Sequence, residues 1–213
     1  MNDTFRQLCL FGIAVATPLA GQKQGAGQSL IMIKEIDARL EKLASGYETV
    51  EGPLYDGKDN LLFTDIPNQR IWQLNLKTLE TTLFRDETGG ANGLAFDLRG
   101  RLLMCKQREK SLARLEEDGT ETVLLKPTRM AKNKKVYPVG VNDVVVDRKG
   151  RIYVTVPGAG SIYFLDSDGG NPRPVIRGLK GPNGLMLSPD EKTLYVSEYK
   201  EQKLHAYEVD PKS

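Results

Sequence analysis

The feature that most limits what this chain can fold into is a repeat. The stretch Gly181-Pro182-Asn183-Gly184-Leu185-Met186-Leu187 shares a polar opening residue, Asn or Glu, and an apolar continuation with three earlier stretches. These are Glu51-Gly52-Pro53-Leu54-Tyr55, Asn92-Gly93-Leu94-Ala95-Phe96 and Asn142-Asp143-Val144-Val145-Val146, separated by intervals of 41, 50 and 41 residues. Each opens a unit that continues through a turn into a second apolar strand, predicted over 61–64, 102–105, 152–155 and 194–197. A third strand follows over 70–74, 111–115, 161–165 and 203–207, and a fourth over 81–84, 121–125 and 174–176 in the first three units. A period of roughly 40 to 45 residues with four short strands is the signature of propeller blades. The predicted fold is therefore all-β, a β-propeller with about four four-stranded blades. Residues 29–213 make up this domain. The last unit stops at Ser213 without a fourth strand, so the chain is expected to be incomplete at its C-terminus.

Other classes are excluded by composition. With 30 Lys and Arg against 28 Asp and Glu, the net charge of +2 implies no nucleic-acid partner. No segment is long enough for a stable membrane span. The apolar run Leu8 to Leu19, followed by a Gly/Gln-rich stretch to Gln28, reads as a signal peptide and spacer over 1–28 and predicts a secreted or periplasmic protein. A cytoplasmic protein with an irregular start is the alternative. Cys9 lies in this leader and Cys105 ends a predicted strand, so no structural disulfide is expected. Ile31 to Leu43 permits either a short helix or an approach strand around Leu43-Ala44. The insertion Lys126 to Pro138, basic and without an acid, reads as a solvated loop or as a lid that attracts anionic substrates.

One histidine, His205, falls in a third strand, where it reads as a satisfied strand residue. No Ser/His/Asp triad or histidine-rich zinc site is available. Gly158-Ala159-Gly160-Ser161 reads as a turn. What remains is Glu51, Asn92, Asn142 and Asn183, assigned to one repeated position at the mouth of the channel. These are hard oxygen donors that suit Ca²⁺ or a comparable divalent cation. The competing reading is that Asn-Gly merely caps inner strands. A turn does not call for the carboxylate of Glu51, whereas a cation in a low-dielectric channel does. Asp143 is not nominated, because regular alternation turns it away from Asn142.

These motifs resemble the gluconolactonase and regucalcin-like (senescence marker protein) family of calcium-dependent six-bladed propellers. The resemblance is carried by Glu51-Gly52-Pro53, Ala91-Asn92-Gly93-Leu94, Val141-Asn142-Asp143-Val144 and Gly181-Pro182-Asn183-Gly184 with Ser188-Pro189-Asp190. It implies Glu51 and Asn183 as metal ligands, Asn142 and Asn92 as residues facing substrate, and Ca²⁺-assisted hydrolysis of a sugar lactone or similar cyclic ester. A small lactone or sugar acid would be the partner. The family's further Asp, the usual proton-transfer candidate, has no counterpart in this chain, so no catalytic residue is assigned. Lys106-Gln107 and Val156 also depart from the family pattern. A non-catalytic propeller that binds a sugar, ion or protein is the alternative, as is an inactive fragment of the hydrolase.

Overall fold

The computed structural model describes residues 41–130 and 135–210. The leader, Cys9 and most of the 31–43 segment lie outside them. The chain divides after Ser45, and the account below concerns the unit that begins at Gly46. Residues 41–47 contain no strand, so the approach strand around Leu43-Ala44 is not formed.

Four antiparallel sheets form, each from strands consecutive in sequence. The first contains β1 (Val50–Tyr55), β2 (Asn60–Asp65), β3 (Arg70–Asn75) and β4 (Thr81–Arg85). The second contains β5 (Ala91–Phe96), β6 (Leu102–Lys106), β7 (Ser111–Leu115) and β8 (Glu121–Leu125). A two-stranded hairpin follows, β9 (Thr128–Met130) and β10 (Val136–Pro138). The third sheet holds β11 (Val144–Val146), β12 (Ile152–Val156), β13 (Ser161–Leu165) and β14 (Arg173–Arg177). The last has three strands, β15 (Pro182–Leu187), β16 (Thr193–Glu198) and β17 (Lys203–Glu208). These are four blades arranged as a β-propeller, as the repeat predicts. The stretch 126–138 departs from the solvated-loop expectation, because its flanks pair in register from Thr128↔Pro138 to Met130↔Val136.

Three apolar clusters hold the blades together, one at each junction. Leu62 and Ile71 meet Leu94, Leu102 and Met104 between the first two blades. Leu103, Cys105 and Leu112 meet Val144, Ile152 and Val154 between the second and third. Tyr153, Ile162 and Phe164 meet Leu185, Leu194 and Val196 between the third and fourth. A strand sandwiched between two neighbours needs apolar side chains on both faces, which explains the unbroken run Leu102-Leu103-Met104-Cys105. Outer strands have one wet face and alternate instead, as in β14.

Each first hairpin turns on the same local device. Asp56, Asp97 and Asp147 each accept two backbone N–H bonds through Oδ1, from Lys58 and Asn60, Arg99 and Arg101, and Lys149 and Arg151. A side chain that satisfies the turn's own donors makes the turn legible in sequence. The fourth blade uses Ser188 and Asp190 for the same purpose.

In the third blade the device is buried, and the Asp147 carboxylate also receives Arg151 Nε at 2.5 Å. Asp147→Ala would remove the carboxylate that neutralises a buried guanidinium and is expected to cost about 3 kcal/mol. Asp56→Ala, at an exposed turn with a neutral partner, is expected to cost roughly 1 kcal/mol. Chemical denaturation of the two variants measures both; equal losses would contradict the assignment.

Candidate functional site

The innermost strands β1, β5, β11 and β15 adjoin in that order. Their cross-strand register is irregular in a repeated way. Leu54 faces Leu62 and Glu51 faces Thr64, so three steps on β1 match two on β2. The same excess separates Ala91 from Leu94 and Pro182 from Leu185. In the third blade Asn142 donates its N–H to the Thr155 carbonyl while Thr155 donates to the Asp143 carbonyl, at 3.0 and 2.9 Å. Residues 142 and 143 thus share one partner, which defines a β-bulge.

This register corrects two sequence expectations. Counting back from Leu54, Leu94, Val144 and Leu185, the residue equivalent to Asn92, Asn142 and Asn183 is Gly52, not Glu51. Glu51 stands one residue earlier, level with Ala91, Val141 and Pro182. The reason lies in packing: Gly52 has φ +52, and a side chain there would put Cβ 2.1 Å from the Asn92 carbonyl oxygen. An asparagine cannot occupy that place, and the polar residue of the first blade falls on its neighbour. The bulge also removes the regular alternation that argued against Asp143.

The Asp143 carboxylate lies between neighbouring inner strands. Oδ1 accepts the Val144 N–H at 2.9 Å and Oδ2 accepts the Leu185 N–H from β15 at 3.2 Å. On the other side a Cβ at Gly93 would stand 2.3 Å from Oδ1, so β5 leaves room for the carboxylate only by carrying glycine. Burial raises the Asp143 pKa to about 6; its two backbone hydrogen bonds oppose that shift, and the negative charge of Glu51 adds to it. The Cys105 thiol is free, buried and raised well above its ordinary pKa by burial and by Asp143.

Glu51 is exposed, Asn92 and Asn142 are buried as residues, and Asn183 is half-buried. Backbones bring these strands together: Gly93 donates to the Asn142 carbonyl at 2.9 Å, and Thr64 Oγ1 to the Asn92 carbonyl at 3.1 Å. Among the described residues the side-chain amides of Asn92, Asn142 and Asn183 have no hydrogen-bond partner, yet none is a sealed polar atom. These amides are thus neither sealed nor spent on their own strands, whereas an asparagine that caps its strand commits its amide to backbone groups. No three His, Cys, Asp or Glu side chains gather as a metal centre among the described residues. A cation here would depend on amide oxygens together with Glu51 and Asp143. That all-oxygen set, with two carboxylates close enough to repel and no cationic partner on either among the described residues, fits a hard divalent ion.

Two other positions resolve simply. Lys106 is turned away from the ring and buried, with its ammonium 2.5 Å from Glu121 and 2.9 Å from Glu109. Glu121 also receives Arg85 from the first blade at 2.9 Å, so Lys106 serves the blade junction. His205 is a satisfied strand residue, 2.7 Å from Glu198 and stacked on Tyr207. The residue that sequence reasoning missed is Asp143. The signal available for it was the extra residue before each inner strand's apolar run.

Residues 49–213 match the family described as the SMP-30/gluconolactonase/LRE-like region, and the chain belongs to that family. A lactonase drp35 of Staphylococcus saprophyticus is 27% identical over 175 residues, which cover 75% of this chain and 51% of that protein. A gluconolactonase from Xanthomonas campestris superposes with a TM-score of 0.68 and 27% identity, over 79% of this chain and 61% of the other. The calcium-binding protein regucalcin of Agrobacterium tumefaciens shares the fold with a TM-score of 0.60 at 18% identity, over 79% and 57%. The chain spans about half the length of the curated relatives it matches.

In chelator, the folded protein holds a proton on Asp143 between about pH 4 and 6, where the unfolded chain has already lost it. Stability is therefore expected to fall by roughly 3 kcal/mol as pH rises through that window and to level off above it. Asp143→Asn should remove this slope, as read from denaturation midpoints at stepped pH. Gly93→Ala should displace the carboxylate and lower stability by about 2 kcal/mol, in the range of overpacked sites; an unchanged midpoint would contradict the close approach.

Proposed function

We propose that this protein is a metal-dependent hydrolase of sugar lactones or similar cyclic esters. The observation that carries this reading is the set of unpartnered amides at Asn92, Asn142 and Asn183 beside the carboxylates of Glu51 and Asp143. Family membership supports the reaction class, and lactonase is the activity named for the staphylococcal relative.

Glu51 and Asn183 would hold a divalent cation such as Ca²⁺, with Asp143 adding charge beside them. When bound, the cation supplies positive charge at the lactone carbonyl oxygen, where negative charge develops as water attacks. The residues of the chain bind and orient. Asn142 and Asn92 offer amide N–H donors and carbonyl acceptors to a substrate rich in hydroxyls, since neither amide is committed to a neighbour among the described residues. The backbone bonds to both Asp143 oxygens keep that carboxylate from rotating. No covalent nucleophile is required for this chemistry. The β9–β10 hairpin ends at Pro138, four residues before Asn142, and so rises from the same end of its blade. Its exposed Arg129 and the adjacent Lys126 would draw an anionic substrate toward the mouth. The apolar leader over residues 8–19 would place this activity outside the cytoplasm.

A panel of γ- and δ-lactones assayed with Ca²⁺ and with chelator tests the reading. Turnover is expected only with the cation, and Glu51→Gln should lower it by roughly 100-fold or more. Turnover indifferent to chelator would overturn the metal dependence. Saturable binding of lactone without any turnover would make the protein a binding module instead.

A further inference from the structure

The two candidate ligands share a support that the other ring positions lack. In the fourth blade Glu198, the last residue of β16, has a buried side chain with both oxygens engaged. Oε1 accepts the N–H of Lys180 at 2.5 Å, and Oε2 lies 2.7 Å from His205 Nε2. Its pKa is lowered, first by the Lys180 N–H and then by His205. Lys180 stands three residues before Asn183. The first blade repeats the arrangement with Asp65, the last residue of β2, which is also buried. Its Oδ1 accepts the N–H groups of Glu48 and Thr49 at 3.4 and 3.3 Å, and its Oδ2 accepts Asn68 Nδ2 at 2.9 Å. Glu48 stands three residues before Glu51.

The backbone next to Asn92 and Asn142 is held differently, by hydroxyls, just before the first and just after the second. Thr88 Oγ1 accepts the Ala91 N–H at 3.3 Å, and Thr155 Oγ1 accepts the Asp143 N–H at 2.9 Å. Bonds to a charged acceptor are about twice as strong as those between neutral groups. Glycine at positive φ precedes both carboxylate-held positions, Gly46 in one and Gly178 and Gly181 in the other, and it also precedes Asn92, at Gly89 and Gly90. Such backbone has many alternatives in the absence of a clamp. The charged acceptors thus fall on the two strands that carry the candidate ligands Glu51 and Asn183.

We propose that Glu198, oriented by His205, and Asp65, oriented by Asn68, are positioning residues for the cation site. Each fixes the backbone three residues ahead of a candidate ligand, Asn183 or Glu51, and so sets the distance between the donors. The proposal rests on the cation-site reading above. Supports of this kind around metal ligands are worth about 10- to 100-fold in affinity.

The test is Ca²⁺ affinity by calorimetry, together with hydrogen exchange at the Lys180 amide in Ca²⁺-free protein. Glu198→Ala and Asp65→Ala are expected to weaken Ca²⁺ binding by about 10- to 100-fold. Glu198→Gln and Asp65→Asn should recover most of the loss, because an amide oxygen still accepts the backbone N–H. In Glu198→Ala the Lys180 amide should exchange at least about 10-fold faster, an effect that needs no metal and that Glu198→Gln should reverse. If the alanine variants unfold, His205→Ala and Asn68→Ala serve in their place, with smaller losses of affinity expected. Wild-type binding that is lost in Glu51→Gln but unchanged in all of these variants would overturn the positioning role alone. A wild-type protein that binds no Ca²⁺ would overturn the cation-site reading, and this proposal with it.

Discussion

Four inner strands approach one another closely enough that β5 and β11 share a backbone hydrogen bond between blades, and the site depends on that crowding. The contact between Gly93 N–H and the Asn142 carbonyl brings β5 against β11, and the Asp143 carboxylate reaches from β11 to the Leu185 N–H of β15. At this distance a side chain has no room at Gly52 or Gly93. The extra residue in each inner strand relieves the crowding, because a bulge turns the strand and presents two successive side chains to the same neighbour. The repeated Asn positions are therefore a consequence of how blades converge as well as a set of possible ligands.

The same convergence gives the site its electrostatics. Asp143 is enclosed by strands on both sides and feels Glu51, so its ordinary carboxylate pKa rises to about 6. The buried carboxylate of Glu198 behaves differently, lowered by the Lys180 N–H and by His205, and Asp147 is ion-paired with Arg151. Charge that is neutralised serves structure, while charge left against another carboxylate is available for a ligand.

Much of the fold was legible because its signals are local. Apolar runs such as Leu102-Leu103-Met104-Cys105 mark strands buried on both faces, and Asp turns such as Asp97-Leu98-Arg99-Gly100 satisfy their own donors. The 126–138 hairpin was not legible, since its short strands leave Val136 and Tyr137 exposed and so carry no burial pattern. The candidate site was only partly legible. Asn92, Asn142 and Asn183 stand out by repetition, but Asp143 was set aside on an alternation rule that a bulge suspends.

The sequence by itself determined the number of repeated units, the strands within them, and the oxygen-only chemistry of the ring, since spacing, turn residues and side-chain type are properties of the chain. Tertiary structure decided the rest. Cross-strand register, which depends on atoms from two strands at once, moved Glu51 out of line with the three asparagines and put Gly52 there instead. Contacts between blades decided that Asp143 belongs with the ring and that Lys106 does not. Those contacts join residues as far apart as Gly93 and Asp143, and no local pattern records which atoms will meet.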